Sequence, residues 1–110
     1  MYVCQWHIDV PFGKQKEALD IMSKWNKAMM DDQKASSLIN GRTLVGHIGV
    51  SASHIINEAV VNSLTDWEAG LSVVNTGKFK GFSEEMAKYI VPGSQHWLVY
   101  RLTEETDGKK

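Results

Sequence analysis

The order of strand-like and helix-like segments restricts the fold of this chain more than any single motif does. Apolar residues alternate with other residues over 2–10, over about 42–50, over 54–64 and over 94–102, which is the two-residue period of β-strands. From about residue 13 to the mid-thirties they recur every three or four positions, which predicts a helix. A second helical region follows the third strand. The resulting order, β-α-β-β-α-β, predicts an α+β fold with a four-stranded antiparallel sheet whose first and third strands are central.

The second helical region is predicted to consist of two pieces. Thr65 and Glu68 have the spacing of a capping box, so the first piece should begin at about Asp66 and end near Gly77. Ser83, followed by two glutamates, has the pattern of another helix start. The Pro-Gly pair at 92–93 should end that second piece before the last strand.

Length and charge exclude several classes of protein. The chain has 110 residues, and we expect one domain over residues 1–102 followed by a polar tail over 103–110. A net charge of -1 gives no basic surface for nucleic acid or for an acidic membrane. Cys4 is the only cysteine, so an internal disulfide is excluded. With no signal-peptide pattern and no long apolar run, the chain is expected to be soluble and cytoplasmic.

The predicted sheet has more apolar surface than its helices can cover. Helices in this fold pack on one face, and the other face meets water or a partner. Neither face of the strands alternates cleanly toward charged residues, as a solvated face should. An exposed apolar face usually marks an interface, and a second copy related by a two-fold axis is the simplest cover. We therefore expect a homodimer, with Trp97 as a candidate interface residue.

The segment from strand to helix, NSLTDWE at 62–68, and the order of elements resemble the dimeric α/β-barrel superfamily, whose subunits are ferredoxin-like. The resemblance covers residues 2–102. It implies that two sheets pack face to face as a barrel, with a pocket in each subunit between sheet and helices. Trp67 would then stand at the mouth of that pocket.

Within this superfamily, the chain resembles the cofactor-independent antibiotic-biosynthesis monooxygenases. In those proteins an Asn and a Trp hold a polycyclic phenol that reacts with oxygen, and Asn62 and Trp67 stand in similar places here, although the gap between them is one residue longer. The alternative is that Trp67 is a hydrophobic plug and Asn62 a turn residue. The residues predicted to form the pocket are Trp67, Asn62, Trp6, His7, Trp25 and Glu58.

All four histidines, at 7, 47, 54 and 96, fall on predicted strands or at their ends. A symmetric hairpin would place His47 opposite His54, with Glu58 further along the same face, and two such histidines can bind a metal. Without a recognisable ligand spacing, however, no metal and no cofactor are predicted. Half-buried histidines with a hydrogen-bond partner are common. A glutamate beside His7 could act as an acid or base, or bridge two subunits.

Haem-degrading monooxygenases have the same architecture, but they resemble this chain only in part. They need a histidine ligand a turn beyond a Phe-Lys pair, and FKGFS at 79–83 has Ser83 in that place. Haem degradation is therefore not predicted, while haem binding through a strand histidine stays open.

Three functions follow from these patterns. The first is binding of a small apolar or aromatic molecule in a pocket lined by Trp6, Trp25, Trp67 and Met22. Its enzymatic form would be a monooxygenase of aromatic or polyketide-like substrates. The second is a structural or interaction module whose aromatic residues fill the interior completely. The third is a metal or haem protein that uses the strand histidines.

Overall fold

A computed structural model describes residues 1–38 and 40–103. Those residues form four strands and four α-helices in the order β-α-α-β-β-α-α-β. A short 3-10 turn, Gly77–Phe79, precedes the last helix. The strands are β1 (Tyr2–Asp9), β2 (Asn40–Val45), β3 (His54–Val61) and β4 (His96–Arg101). The helices are α1 (Gln15–Met30), α2 (Gln33–Leu38), α3 (Leu64–Val74) and α4 (Lys80–Ala87). None of these helices is long and apolar enough to cross a membrane.

The four strands form one antiparallel sheet in the order β2-β3-β1-β4. The predicted α+β class and the central position of the first and third strands are therefore confirmed. In β1 the even-numbered residues face the helices and the odd-numbered residues face away. Cross-strand partners share a face in an antiparallel pair. Trp6 thus lies beside Asn57 and Trp97, while His7 lies beside Ile56 and His96 on the opposite side.

The core lies between the helix-facing side of the sheet and the helices. Ile8 and Ile55 pair across β1 and β3 and are fully buried, as are Met22 of α1 and Met86 of α4. The other side of the sheet carries no helix in the described part of the chain. We call that side the open face.

The first helix ends earlier than its apolar pattern predicts. A single helix was expected to continue into the mid-thirties, but α1 ends at Met30 and α2 begins at Gln33. Asp32 lies at the break, and its side-chain Oδ1 accepts a hydrogen bond from the backbone N–H of Ala35 at 2.8 Å. A carboxylate in this position caps a new helix, which explains why the chain restarts here.

The caps predicted for the second helical region were wrong. Ser63, in an extended conformation, caps α3 by accepting from the backbone N–H of Asp66 at 3.1 Å, so the helix begins two residues before the predicted start. Its C-cap is Asn75 rather than Gly77, and Gly77 begins the 3-10 turn. Ser83 lies inside α4 instead of at its start. A cap is set by where the chain leaves the preceding strand, and several Ser and Thr residues here offer the same local pattern.

The strand β2 also ends earlier than predicted, so the loop between β2 and β3 is longer. The strand β2 ends at Val45, and Gly46 donates its N–H to the carbonyl of His54 at 3.0 Å. A Cβ on Gly46 would lie 1.9 Å from the carbonyl oxygen of Ser51, so the chain turns back here at a point where only glycine fits. His47 therefore lies in an exposed loop, and its predicted position opposite His54 was wrong.

The strand β2 begins at Asn40, two residues before the predicted start at about 42. The predicted polar tail over 103–110 lies, except for Thr103, outside the described residues.

Candidate functional site

A cavity of about 420 Å³ lies between the sheet and the helices α1, α3 and α4. This volume falls within the range of small-molecule sites, about 300–1,000 Å³. Buried side chains of β1 and α1, such as Trp6 and Met29, form its floor, while exposed residues near β4, such as Pro92 and Gln95, mark where it meets solvent. The residues that line it are Cys4, Trp6, Trp25, Met29, Asn57, Ala59, Trp67, Leu71, Val74, Asn75, Ser83, Ala87, Ile90, Pro92, Gly93, Gln95 and Trp97.

All four tryptophans of the chain line this cavity, and their rings form one continuous series. Trp6 stacks on Trp97 with ring centroids 6.0 Å apart, and it meets Trp25 edge to face at 6.1 Å. Trp97 in turn meets Trp67 edge to face at 5.7 Å. The pairing of β1 with β4 places Trp6 directly beside Trp97, so the sheet register creates the centre of the series.

Hydrogen bonds orient two of these rings. The indole N–H of Trp6 donates to the side-chain Oε1 of Gln95 at 2.9 Å, and that of Trp25 donates to the backbone carbonyl of Val74 at 3.2 Å. Since buried indole N–H groups usually need a partner, these bonds hold the two rings in defined orientations.

Asn57 lines the cavity, and its side chain has one unpaired polar atom. Its Oδ1 is buried and accepts no hydrogen bond from the part of the chain that the structure describes. Leaving a buried acceptor without a donor costs about 1–3 kcal/mol.

The cavity is electrically neutral on its described lining, which includes no Asp, Glu, Lys, Arg or His. Burial raises the pKa of the Cys4 thiol, so the thiol stays protonated near neutral pH and is a poor nucleophile. The site can therefore bind and orient an uncharged molecule, and it offers no carboxylate or imidazole as a general base.

The structure brings three of the six predicted pocket residues together. Trp6, Trp25 and Trp67 line the cavity. Asn62 is exposed just beyond the end of β3 and is not part of the lining. His7 and Glu58 project from the open face, because alternation along β1 and β3 sends them away from the helices. Met22, also expected in the pocket, is fully buried in the core.

Sequence reasoning missed Asn57, Gln95 and Trp97 as cavity residues. Asn57 had a signal, because it is the one polar residue in the helix-facing series of Ile55, Ala59 and Val61. No sequence signal pointed to Gln95, since it lies in the loop before β4, where no periodic pattern applies. Trp97 was predicted to lie in the interface between subunits. Its pairing with Trp6 places it on the helix-facing side of the sheet, where it lines the cavity.

The polar residues of the open face form one hydrogen-bonded series. Arg42 donates through Nε to Glu58 Oε2 at 2.7 Å, and Gln5 Nε2 donates to Glu58 Oε1 at 2.8 Å. The other end of Gln5 meets His7 Nε2 at 2.9 Å. His7 Nδ1 lies 2.8 Å from His54 Nε2, and His54 Nδ1 lies 2.8 Å from Asp9 Oδ1. We call these six residues the polar track.

The histidines are not arranged as a metal site. His47 lies away from His54, and the described residues contain no group of three or more His, Cys, Asp or Glu placed to hold a metal ion. Ser83, which occupies the position of the haem ligand in the resemblance to haem-degrading proteins, does line the cavity. No histidine stands on the described lining to replace it as an axial ligand.

Comparison with known proteins supports the fold. No protein-family model and no curated protein sequence matches the chain. Among solved structures, a NIPSNAP family protein from Agrobacterium tumefaciens str. C58 has a TM-score of 0.76 at 19% identity, covering 98% of both chains. An uncharacterised NIPSNAP domain protein from Burkholderia xenovorans has a TM-score of 0.73 at 12% identity, covering 93% of this chain and 94% of its own.

SnoaB, a cofactor-independent oxygenase from Streptomyces nogalater, has a TM-score of 0.70 at 7% identity, covering 96% of both chains. At these identities the similarity shows the fold alone. The chain shares the ferredoxin-like fold of these solved structures. The resemblance stated from the sequence is thereby confirmed at the level of fold.

Proposed function

We propose that this protein binds a small, uncharged aromatic molecule in the cavity lined by its four tryptophans. The observation that carries the proposal is the convergence of all four rings on one cavity whose described lining has no charged side chain. Indole faces favour flat aromatic rings in offset or edge-to-face contact. A charged ligand would lose its hydration here without gaining a counter-ion.

The unpaired Oδ1 of Asn57 refines the chemistry of the ligand. Because Oδ1 is buried, the Asn57 side chain must turn toward the cavity for a ligand to reach this atom. An amide oxygen only accepts, so the ligand group that satisfies it must be a donor. A phenol combines the flat ring with such a donor. The ligand class that fits best is therefore a neutral phenol or a related ring that bears an O–H or N–H group.

A panel of three probes tests this assignment. 1-Naphthol has the ring and the donor, 1-methoxynaphthalene keeps the ring without the donor, and naphthalene-1-sulfonate adds a charge. We expect 1-naphthol to quench tryptophan fluorescence saturably and to bind about tenfold more tightly than the ether, which corresponds to one hydrogen bond. We expect no saturable binding of the sulfonate. Equal or absent responses to all three probes would contradict the proposal.

The structural alternative requires a filled interior. A cavity of about 420 Å³ with an unpaired polar atom in its wall is the observation against it.

A cofactor-independent monooxygenase is the second candidate function. Two observations favour it: Trp67 lies at the cavity, and the fold is shared with SnoaB, a cofactor-independent oxygenase. Since the described lining has no carboxylate or imidazole to act as base, the substrate itself would have to ionise easily. Oxygen uptake should then appear only with polycyclic phenols of low pKa, and its pH dependence should follow the phenol rather than the protein. An oxygen electrode measures this directly.

We also propose that two copies associate through the open face, because the described helices leave it uncovered. Its apolar residues Val60, Leu98 and Tyr100 are 41%, 38% and 52% exposed. Sedimentation at micromolar concentration should show a dimer, and Leu98→Asp should shift it to a monomer. Ile48→Asp, in an exposed loop away from the sheet, is the matched control and should leave the dimer intact. A stable monomer of the unaltered protein would refute this association.

A further inference from the structure

The hydrogen bonds of the polar track require one more hydrogen than two neutral histidine rings supply. The track contains two acids, Glu58 next to Arg42 and Asp9 at the opposite end, and the partners of both acids are donors. Arg42 approaches Glu58 through Nε and Nη2, each 2.7 Å from Oε2, and only 9% of the Glu58 side chain is exposed. The hydrogen bond from Gln5 and, after it, those from Arg42 lower the pKa of Glu58 against the opposing effect of burial. Glu58 is therefore an ionised acceptor at neutral pH.

An ionised Glu58 determines the orientation of Gln5. Because Gln5 Nε2 donates to Glu58, Gln5 Oε1 is the atom that faces His7 Nε2 at 2.9 Å. An amide oxygen cannot donate, so His7 Nε2 must carry a hydrogen. At the other end of the track, Asp9 Oδ1 accepts from His54, so His54 Nδ1 must carry one as well.

The contact between the two rings then requires a third hydrogen. His7 Nδ1 and His54 Nε2 are 2.8 Å apart, a hydrogen-bonding distance. If both rings were neutral, each would carry one hydrogen, which His7 already donates to Gln5 and His54 to Asp9. Two nitrogen lone pairs would then face each other between the rings. One hydrogen must lie between the rings, so the pair holds three ring hydrogens where two neutral imidazoles hold two.

The surroundings place the extra charge on His54. His7 is 9% exposed, and burial, followed by the repulsion of His96 and His54, lowers its pKa. His96 stacks on His7 with centroids 4.7 Å apart, and its own Nδ1 faces the carbonyl of Ser94. His54 instead lies against the Asp9 carboxylate. A cationic His54 can donate to Asp9 and to neutral His7 together.

We propose that His7 and His54 jointly hold one extra proton at neutral pH, and that losing it weakens the association of two copies through the open face. With the proton, the charges of Arg42, Glu58, Asp9 and the histidine pair sum to zero. Without it, these groups give each copy a net charge of -1 on the surface that the second copy covers. The contact between His7 Nδ1 and His54 Nε2 also lacks a hydrogen. The second half of this proposal rests on the proposed homodimer; the first half does not.

Nitrogen-detected NMR of the histidine rings tests the proton directly. At pH 7 we expect His7 as the neutral Nε2–H tautomer and His54 with hydrogens on both nitrogens. In Asp9→Asn, where the counter-ion is lost, His54 should have a hydrogen on only one nitrogen at pH 7. His47→Gln, which removes a histidine outside the track, should leave both signals unchanged. Two neutral rings at pH 7 in the unaltered protein would overturn the proposal.

Sedimentation between pH 6.5 and 9 tests the coupling. A symmetric dimer contains two polar tracks. If each copy retains one more proton in the dimer than when separate, the dissociation constant rises about a hundredfold per pH unit where the tracks titrate. His54→Gln, which cannot titrate, should remove most of this dependence. A dimer whose dissociation constant is flat with pH would overturn the coupling. A protein that is monomeric at every pH would instead refute the homodimer, while the NMR result still decides the protonation state of the histidines.

Discussion

Trp6 of β1 stacks on Trp97 of β4, with ring centroids 6.0 Å apart and planes inclined by 20°. The two residues are 91 positions apart in the chain and are direct partners across the sheet. This contact joins the buried Trp25 to the half-exposed Trp67 and so makes the cavity wall continuous.

Replacing Trp67 should separate binding from stability. It is only partly buried, so Trp67→Ala should lower the free energy of unfolding by about 1–2 kcal/mol. The same change should weaken binding of 1-naphthol at least about tenfold, because the ring forms part of the cavity wall. The matched variant is Trp25→Ala. Since Trp25 is 5% exposed, we expect it to lower the free energy of unfolding by about 3–5 kcal/mol. Urea unfolding and fluorescence titration measure the two effects, and similar stability losses for both variants would contradict this prediction.

Removing the unpaired acceptor of Asn57 should stabilise the protein. We expect Asn57→Leu to raise the free energy of unfolding by about 1 kcal/mol, because a buried atom without a partner is replaced by an apolar group of similar size. The variant should also bind 1-naphthol and its methyl ether equally well. Asn26→Leu is the control: its Oδ1 is also unpaired, but its Nδ2 donates to Thr43, and Asn26 does not line the cavity. It should therefore leave the preference for the phenol unchanged.

The start of α3 can be tested by removing its cap. Ser63→Ala should lower the free energy of unfolding by about 1 kcal/mol, because the backbone N–H of Asp66 loses its acceptor. Thr65→Ala should change it by less than about 0.5 kcal/mol, since Thr65 is an exposed residue within the helix. Thermal or urea unfolding of both variants decides which residue caps the helix. A larger effect at Thr65 would restore the capping box expected from the sequence.

Stability should fall in acid partly because of Glu58. Its pKa is lowered in the folded protein, so its contribution is present above the ordinary value of 4.5 and is lost as the pH falls through the folded value. Glu58→Gln should therefore reduce stability at pH 7 and flatten its decline below pH 4.5. Glu68→Gln, at an exposed position on α3, should change neither. Urea unfolding from pH 3 to pH 7 provides the comparison, and a decline as steep in Glu58→Gln as in the unaltered protein would rule this out.

Alternation along β1 and β3 indicated which residues share a face of the sheet. The same pattern indicated that His7 and Glu58 are polar residues in otherwise apolar strands. It did not show which of the two faces the helices cover, since both faces of these strands mix polar and apolar residues. Cap positions were ambiguous for a related reason: Ser63 and Thr65 lie two residues apart, and each offers a hydroxyl to a backbone N–H three positions on.

The sequence by itself determined the element order, the antiparallel sheet with its central strands and the apolar side of α1, because these depend on periods of two and about 3.6 residues within short segments. Only the tertiary structure decided which residues meet. Trp6 reaches Trp97, and His7 reaches His54, through strand pairing across long stretches of chain. A local period specifies which way a side chain points, but not which strand lies beside it, so the cavity and the polar track emerge only when the sheet is assembled.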